Sequence, residues 1–451
     1  MEHLSVLQSH GILKDAKSYI LTNKEKRELV NYFQNSNVSK SFLENSNVKN
    51  IVIFGAGPVG LMTAILIKQS HPNLNVTIFE KRFENIREQI LVIDKNFYDI
   101  IPKVVKKRIW GKNRKGCYVH APNKDLLSRC YIKKDALPLA SVSINILQDE
   151  LSRFAINYKI KIIKPNKNQK ITYLSVDSKN IEYEFDNQSK LLIPYDFLIG
   201  ADGSNSYIRE SVLKANYAIS ESNYKAYAGA FILHFKEGSG PKTYSGKSLP
   251  ETPKNATIQN RVRWFLTQYN TAYIGLSLTE KEYKDINSNL SENIKKIIDI
   301  YIDFFGYDPD DLNMISMNIF QIYLQKSDKN IDLINNKIVC IVGDASFNVN
   351  FFSGSGLNLG IRSAQSLVKN FDEWISGYIN TDQFITSYEN AIAEYSKIAT
   401  TKSIESTLNV PKIENNCKKY SLKKLQKLAK SKKIDPKQLS KEELCFLFLN
   451  E

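Results

Sequence analysis

Ile51-Val-Ile-Phe-Gly-Ala-Gly-Pro-Val-Gly60, with Val76-Thr-Ile-Phe-Glu80 behind it, is the stretch on which the fold reading turns. Four apolar β-formers run into Gly55-x-Gly57-x-x-Gly60, an apolar helix follows from Leu61 to Ile67, and a second strand ends on the acid Glu80, about 20 residues after the last glycine. Each part suits a pyrophosphate. Gly55 permits the tight turn, Gly57 lets the backbone approach the anion, Gly60 lets helix and strand pack closely, and the helix N-terminus offers free N–H groups. Ala56, Pro58 and Val59 complete the loop, and Glu80 is placed for ribose hydroxyls. A bare glycine motif occurs often by chance. Strand, loop, helix, second strand and acid in this order read as a dinucleotide site.

A chain of 451 residues exceeds what one core usually serves, so two packed domains with appendages are expected. Its 42% hydrophobic and 24% charged residues are those of a globular protein with ample core. No stretch reaches the roughly 18–20 apolar residues of a membrane span. Met1-Glu2-His3-Leu4 lacks the basic lead of a secretory signal, so a cytoplasmic location is expected. The cysteines, Cys117, Cys130, Cys340, Cys417 and Cys445, are odd in number, scattered and without C-x-x-C spacing, which argues against a disulfide framework, a zinc site or a redox dithiol. The histidines form no ligand cluster, and no metal is expected. The net charge of +15 directs attention to acidic partners and to where the lysines lie.

Residues 1–48 read as a helical extension. From 49 to 223 strands and helices alternate as in a parallel sheet with crossovers, including a helix over Ser141 to Ala155. From 224 to 330 the chain changes to aromatic-rich, turn-separated strands, at Tyr227–Phe235, Val262–Tyr269 and Thr271–Leu278, suited to an antiparallel sheet, with a helix near residues 290–305. Residues 331–408 return to the first domain through the buried strand Lys337–Asp344, a glycine-rich turn and two long helical stretches. Residues 409–451 form a Lys-rich helical tail, in which Lys418 to Lys433 holds eight lysines and no acid. The tail resembles helix-extension-helix modules of the SAP and Rho N-terminal type. It is a candidate contact surface for nucleic acid or a protein partner, with a solvated basic hairpin as the alternative.

Two further segments join the glycine loop: Gly200-Ala-Asp202-Gly203-Ser-Asn-Ser-Tyr-Ile-Arg209, and Gly343-Asp344 followed by Gly354-Ser-Gly356-Leu357-Asn358. Together the three resemble the class A flavin-dependent monooxygenases, the aromatic hydroxylases with the p-hydroxybenzoate hydroxylase fold, over roughly residues 50–370. The resemblance implies an α/β protein: a Rossmann-like FAD-binding domain with an inserted antiparallel β-sheet substrate domain, here carrying helical N- and C-terminal extensions. It implies that Gly55, Gly57 and Gly60 cradle the FAD pyrophosphate and that Glu80, with Lys81 and Arg82, holds the adenosine ribose. Asp202 and Gly203 would lie near the pyrophosphate, in a segment that also contacts NAD(P)H, and Arg209 would close their turn. Gly343 and Asp344 would meet the ribityl chain. Gly354, Gly356, Leu357 and Asn358 would aim a helix N-terminus at the flavin pyrimidine edge, where the positive end of the helix stabilises the reduced anion.

A finer likeness is to the MICAL monooxygenase domain. Glu80-Lys-Arg82, Arg87 in Ile86-Arg-Glu-Gln-Ile-Leu91, and Val142 to Gln148 are similar to MICAL segments, which implies Arg87 and Gln148 at the cofactor. Asn145 departs from that pattern, standing where arginine is usual, and Asn348-Val-Asn-Phe-Phe352 lacks the proline that hydroxylases carry beside the flavin. The implied chemistry is reduction of FAD by NAD(P)H, addition of O2 to form a flavin hydroperoxide, and oxygen transfer to a small, aromatic, electron-rich substrate. Trp264, Tyr273, Phe351 and Phe352 are candidate pocket walls, with plain core packing as the alternative. No catalytic acid or base is named by the sequence. Two other readings stand beside this one: a MICAL-like enzyme acting on a protein, and a flavin-binding protein working through its basic tail.

Overall fold

In the computed structural model the described residues are 48–85, 87–110, 119–120, 140–186, 190–219, 226–237, 262–268, 271–285, 292–304, 308–349 and 353–407. The expected N-terminal helices (residues 1–47) and the Lys-rich tail lie outside them. The central sheet contains β1 (Asn50–Phe54), β2 (Asn75–Phe79), β6 (Lys161–Ile163), β10 (Phe197–Gly200), β17 (Ile331–Ile334) and β18 (Lys337–Ile341), in the order β17-β18-β10-β1-β2-β6. All neighbours pair in parallel except β17 with β18.

Why β1 is apolar at every position after Asn50 follows from its two covered faces. Ile51 and Ile53 point into a layer of helices, and Val52 and Phe54 point the other way. The helical layer is α1 (Pro58–Ser70), α4 (Ile144–Asn157), α7 (Gly356–Ile375) and α8 (Thr381–Thr407). The opposite layer is an antiparallel meander, β7 (Ile171–Val176), β8 (Asn180–Phe185) and β9 (Lys190–Pro194), which presents Ile181, Tyr183 and Phe185 to the sheet. Phe54 stacks on Phe79 with ring centres 5.2 Å apart, and Tyr183 lies tilted against Phe79 at 5.0 Å.

A second, antiparallel sheet runs β15 (Leu312–Ile322), β12 (Ala226–Phe235), β14 (Thr271–Leu278), β13 (Val262–Gln268) and β4 (Val119–His120). Its outer face packs Phe231, Leu233, Ile274 and Leu276 on α6 (Glu292–Phe304), whose Ile294, Ile298 and Ile302 recur every fourth residue and form one stripe. Its inner face carries Ala230, Ile232 and Tyr273 toward Ile90. Between the two sheets lie the ribbons β3 (Ile90–Ile93) with β5 (Ala140–Ser143), and β11 (Tyr217–Ile219) with β16 (Gln325–Ser327). The short helices α2 (Lys95–Ile100), α3 (Lys103–Trp110) and α5 (Glu280–Asp285) complete the order.

Three features differ from the sequence reading. Ser141–Ser143 is strand rather than helix: Val142 is fully buried, the segment pairs with β3, and the helix starts only at Ile144. The strand pair legible around residues 170–185 is present as β7 and β8, and an unexpected third strand, β9, extends it into an antiparallel meander. β15 was not expected. Apolar side chains from both of its faces are used, Ile315 and Ile319 on α6 and Phe320 on the inner cluster, which blurs the period-two alternation that marks a strand.

The last helix is fastened to the sheet by Glu389, whose carboxylate accepts hydrogen bonds from Asn330 N (2.5 Å), Ile331 N (3.1 Å) and Asn330 Nδ2 (2.8 Å). Glu389→Ala leaves these donors unpaired and is expected to cost about 2–3 kcal/mol in urea unfolding of the full chain.

Candidate active site

The parallel strands deliver their carboxyl ends to one place, as open α/β sheets do. β1 runs into Gly55, β2 into Glu80, β10 into Asp202 and β18 into Asp344. A cavity of about 640 Å³ opens there. That lies within the ~300–1,000 Å³ usual for small-molecule and cofactor sites. Its polar floor comprises Gly55, Gly57, Pro58, Val59, Glu80, Lys81, Arg82, Arg87, Gln148, Asp202, Gly203, Asp344, Gly354, Gly356 and Leu357. Its roof is Gln89 to Val92 from and beside β3, with Ala230, Tyr273 and Phe320 from the second sheet.

The floor is shaped by what the glycines leave out. Gly55 has φ +100, and a Cβ there would lie 2.3 Å from the Ala201 carbonyl oxygen; a Cβ on Gly60 would lie 2.0 Å from the Gly55 carbonyl oxygen. Gly57 is the opposite case, with nothing within 4 Å of its Cβ position. α1 and α7 both begin at this floor without a side-chain cap or an acid in the first turn. Two sets of free N–H groups and two positive helix ends therefore converge on one cavity, a field that favours an anion.

The acids are held in definite ways. Glu80 Oε2 accepts from Ala56 N and Oε1 from Arg82 N, each at 2.9 Å. Gln148 Nε2 donates to Ala56 O at 3.0 Å, so both backbone groups of Ala56 are engaged by side chains of the floor. Asp202 accepts from Ser206 Oγ (2.5 Å) and Tyr207 N (2.7 Å), yet its burial outweighs these bonds and raises its pKa. Burial also raises the pKa of Asp344, against the pull of the Arg87 guanidinium. Asp344 is nonetheless exposed to the open cavity, so solvent screening keeps that rise small. Arg87 is itself lowered by burial and by Arg82, while Asp344 and Glu80 oppose the shift.

Of the sequence candidates, Ala56, Gly60, Gly343 and Asn358 stand behind the cavity wall rather than in it. Asn358 Nδ2 donates to Val92 O (3.0 Å) and its Oδ1 accepts from Asp94 N (3.1 Å), which ties α7 to the ribbon and α2. Tyr273 lines the roof, and burial raises its pKa, which keeps the phenol protonated. Trp264 lies on β13 with its side chain outside the described part, and Phe351 and Phe352 lie outside the described residues. Gln89, Tyr183, Tyr207 and Phe320 line the cavity without having been singled out. Tyr183 alternates with Ile181 and Phe185 as any core strand residue does, so its sequence carries no signal of a site. Among the described residues no group of three or more His, Cys, Asp or Glu could hold a metal, and no helix is long and apolar enough to cross a membrane.

No family model matches the chain. Among solved structures, p-nitrophenol 4-monooxygenase PnpA from Pseudomonas putida is similar at TM-score 0.54 and 12% identity, over 80% of this chain and 88% of that one. The flavin-dependent monooxygenase PieE, solved with FAD and substrate, is similar at TM-score 0.55 and 12% identity, over 89% and 68%. The chain has the fold of the flavin-dependent monooxygenases. A curated relative, 6-hydroxy-3-succinoylpyridine 3-monooxygenase from Pseudomonas putida, is 24% identical over 186 residues. That match spans 38% of this chain and 44% of the relative. In this monooxygenase fold the cavity lies where the parallel sheet meets the antiparallel one.

The raised carboxyl has a measurable consequence. Folded Asp344 binds its proton more tightly than unfolded Asp344, so stability is lost as pH rises from about 4 through the raised pKa. Asp344→Asn removes that loss. The ligand-free variant is expected to gain slightly on the wild type as pH rises above about 4 in urea unfolding, with Asp202 contributing the same slope to both.

Proposed function

We propose that this protein is an FAD-dependent monooxygenase that uses NAD(P)H and O2 to hydroxylate a small aromatic molecule. One observation carries the reading: a single cavity joins an anion-favouring floor at the strand ends to an apolar and aromatic roof from the second sheet. The floor fits FAD by its own geometry. Space is open at Gly57, two uncapped helix N-termini face it, and the acceptors Glu80 and Asp344 lie along the same wall. When bound, FAD supplies the oxygen-activating chemistry.

The roles of the chain's own residues follow from their places. The loop at Gly55 to Gly60 and the start of α1 would take the pyrophosphate, and Glu80 the adenosine ribose. Lys81 and Arg82 stand beside it. Asp202 and Gly203 would border the pyrophosphate, while Asp344 and the start of α7, at Gly354, Gly356 and Leu357, would take the ribityl and pyrimidine end. Arg87 adds positive charge near Asp344, and Gln148 keeps the loop backbone in place through Ala56. The substrate would rest on Tyr273, Phe320, Ala230 and Ile90, whose apolar surface excludes water from the reacting face.

Purified full-length protein is expected to be yellow, or to become so on reconstitution with FAD, and to consume NADPH or NADH faster with one member of a phenol panel while forming a hydroxylated product. A colourless protein that takes up no FAD sinks the reading. Gly57→Ala sharpens the test. Its backbone, at φ −65 and ψ 168, accepts alanine without strain, so ligand-free stability changes by less than about 1 kcal/mol. The added methyl occupies space reserved for the anion, and FAD affinity falls about tenfold or more, or at least about 1.4 kcal/mol.

A further inference from the structure

The turn that carries Asp344 is held at three successive residues by side chains from three different elements. Gly343 N donates to Ser363 Oγ of α7 at 3.0 Å. The Tyr217 hydroxyl, on β11, donates to the Asp344 carbonyl oxygen at 2.9 Å. Arg209 Nη1, from the π-helical turn Ile208–Val212, donates to the Ala345 carbonyl oxygen at 3.1 Å.

Arg209 and Tyr217 act as one unit. Arg209 is 1% exposed, and its guanidinium carbon stands 3.9 Å from the centre of the Tyr217 ring. Its Nη2 donates to Ser204 O (2.8 Å) and Glu210 Oε1 (2.6 Å). Ser204 belongs to the turn of Asp202. The planar cation, flattened on the tyrosine, therefore joins the two acid-bearing turns of the cavity floor. Burial and the nearby Asp344 raise the Tyr217 pKa, which keeps the proton that this hydroxyl donates.

We propose that Tyr217 is a positioning residue of the flavin site: its hydroxyl fixes the peptide plane after Asp344 and so aims the Asp344 carboxylate at the ribityl half of the cofactor. The inference rests on the flavin reading above. Gly343 in this turn has φ +62, and the Asp344 and Ala345 carbonyls point away from the cavity into these two side chains. Without the Tyr217 donor the Asp344 peptide loses one of the three side-chain anchors of its turn, and the carboxylate loses its direction before the fold loses its core.

The test is a comparison of FAD and ADP binding to the full-length protein, by calorimetry, in the wild type, Tyr217→Phe and Tyr217→Leu. Tyr217→Phe keeps the ring under Arg209 and removes only the donor. It is expected to raise the FAD dissociation constant about fivefold to tenfold, the worth of one hydrogen bond, and to leave ADP binding unchanged, since ADP lacks the ribityl half. Tyr217→Leu also removes the platform under Arg209, loosens the Ser204 turn, and is expected to weaken both ligands. Wild-type affinity for FAD in Tyr217→Phe, or an equal loss for ADP and FAD in that variant, overturns the proposal while leaving the flavin reading intact. A wild type that binds neither ligand overturns both.

Discussion

A single carbon added to Gly60 would lie 2.0 Å from the Gly55 carbonyl oxygen, and the architecture of the site depends on that close contact. It lets α1 begin directly against the end of β1. The turn at Gly55 then presses on the Ala201 carbonyl, which locks the end of β1 to the end of β10. Val59, on the first turn of α1, packs within 3.2 Å of the Cβ position at Gly343, beyond the end of β18. Three strand ends and two helix N-termini are thereby drawn into one small volume. Any side chain bulk in this stack would separate them, and the convergent N–H groups would no longer face a common cavity.

That convergence sets the electrostatics. Positive helix ends, Arg82 and Arg87 share the floor with Glu80, Asp202 and Asp344, where the loss of hydration raises the two aspartates, modestly for the exposed Asp344. Such groups do little for the stability of the ligand-free chain. Perturbed acids gathered at a cleft are characteristic of binding and catalysis rather than of folding. The roof has the opposite character, since Ala230, Ile232, Tyr273 and Ile90 form an apolar cluster of their own. The cavity therefore suits a ligand charged at one end and apolar at the other. The likeness to solved monooxygenases, at 12% identity, establishes the fold, and the case for the chemistry rests on this polarity.

Much of this was legible in the sequence, and the reasons are local. Residues 51–60 and 76–80 encode a turn, a helix start and a strand end whose residue types have few other uses, and β1, α1 and β2 follow them. The strands at Tyr227–Phe235 and Thr271–Leu278 and the stripe Ile294, Ile298, Ile302 declare their elements through simple periods. Where the pattern was ambiguous, tertiary pairing decided. Ser141–Ser143 continues a helical pattern but becomes strand because β3 offers it hydrogen bonds. β15 was hidden because it is apolar on both faces.

The sequence by itself determined the dinucleotide-type floor, because backbone geometry at glycines and an acid at a strand end are local properties. Only the tertiary structure decided which residues meet above and behind that floor. Tyr183 comes from a meander, Phe320 from an unforeseen strand, and Tyr217 and Arg209 reach Asp344 and Ala345 across more than a hundred residues of chain. Asn358, at the start of α7, bonds Val92 and Asp94 and so fastens that helix start to the ribbon beside it. A side chain's partner is fixed by the packing of distant segments. No spacing along the chain encodes it.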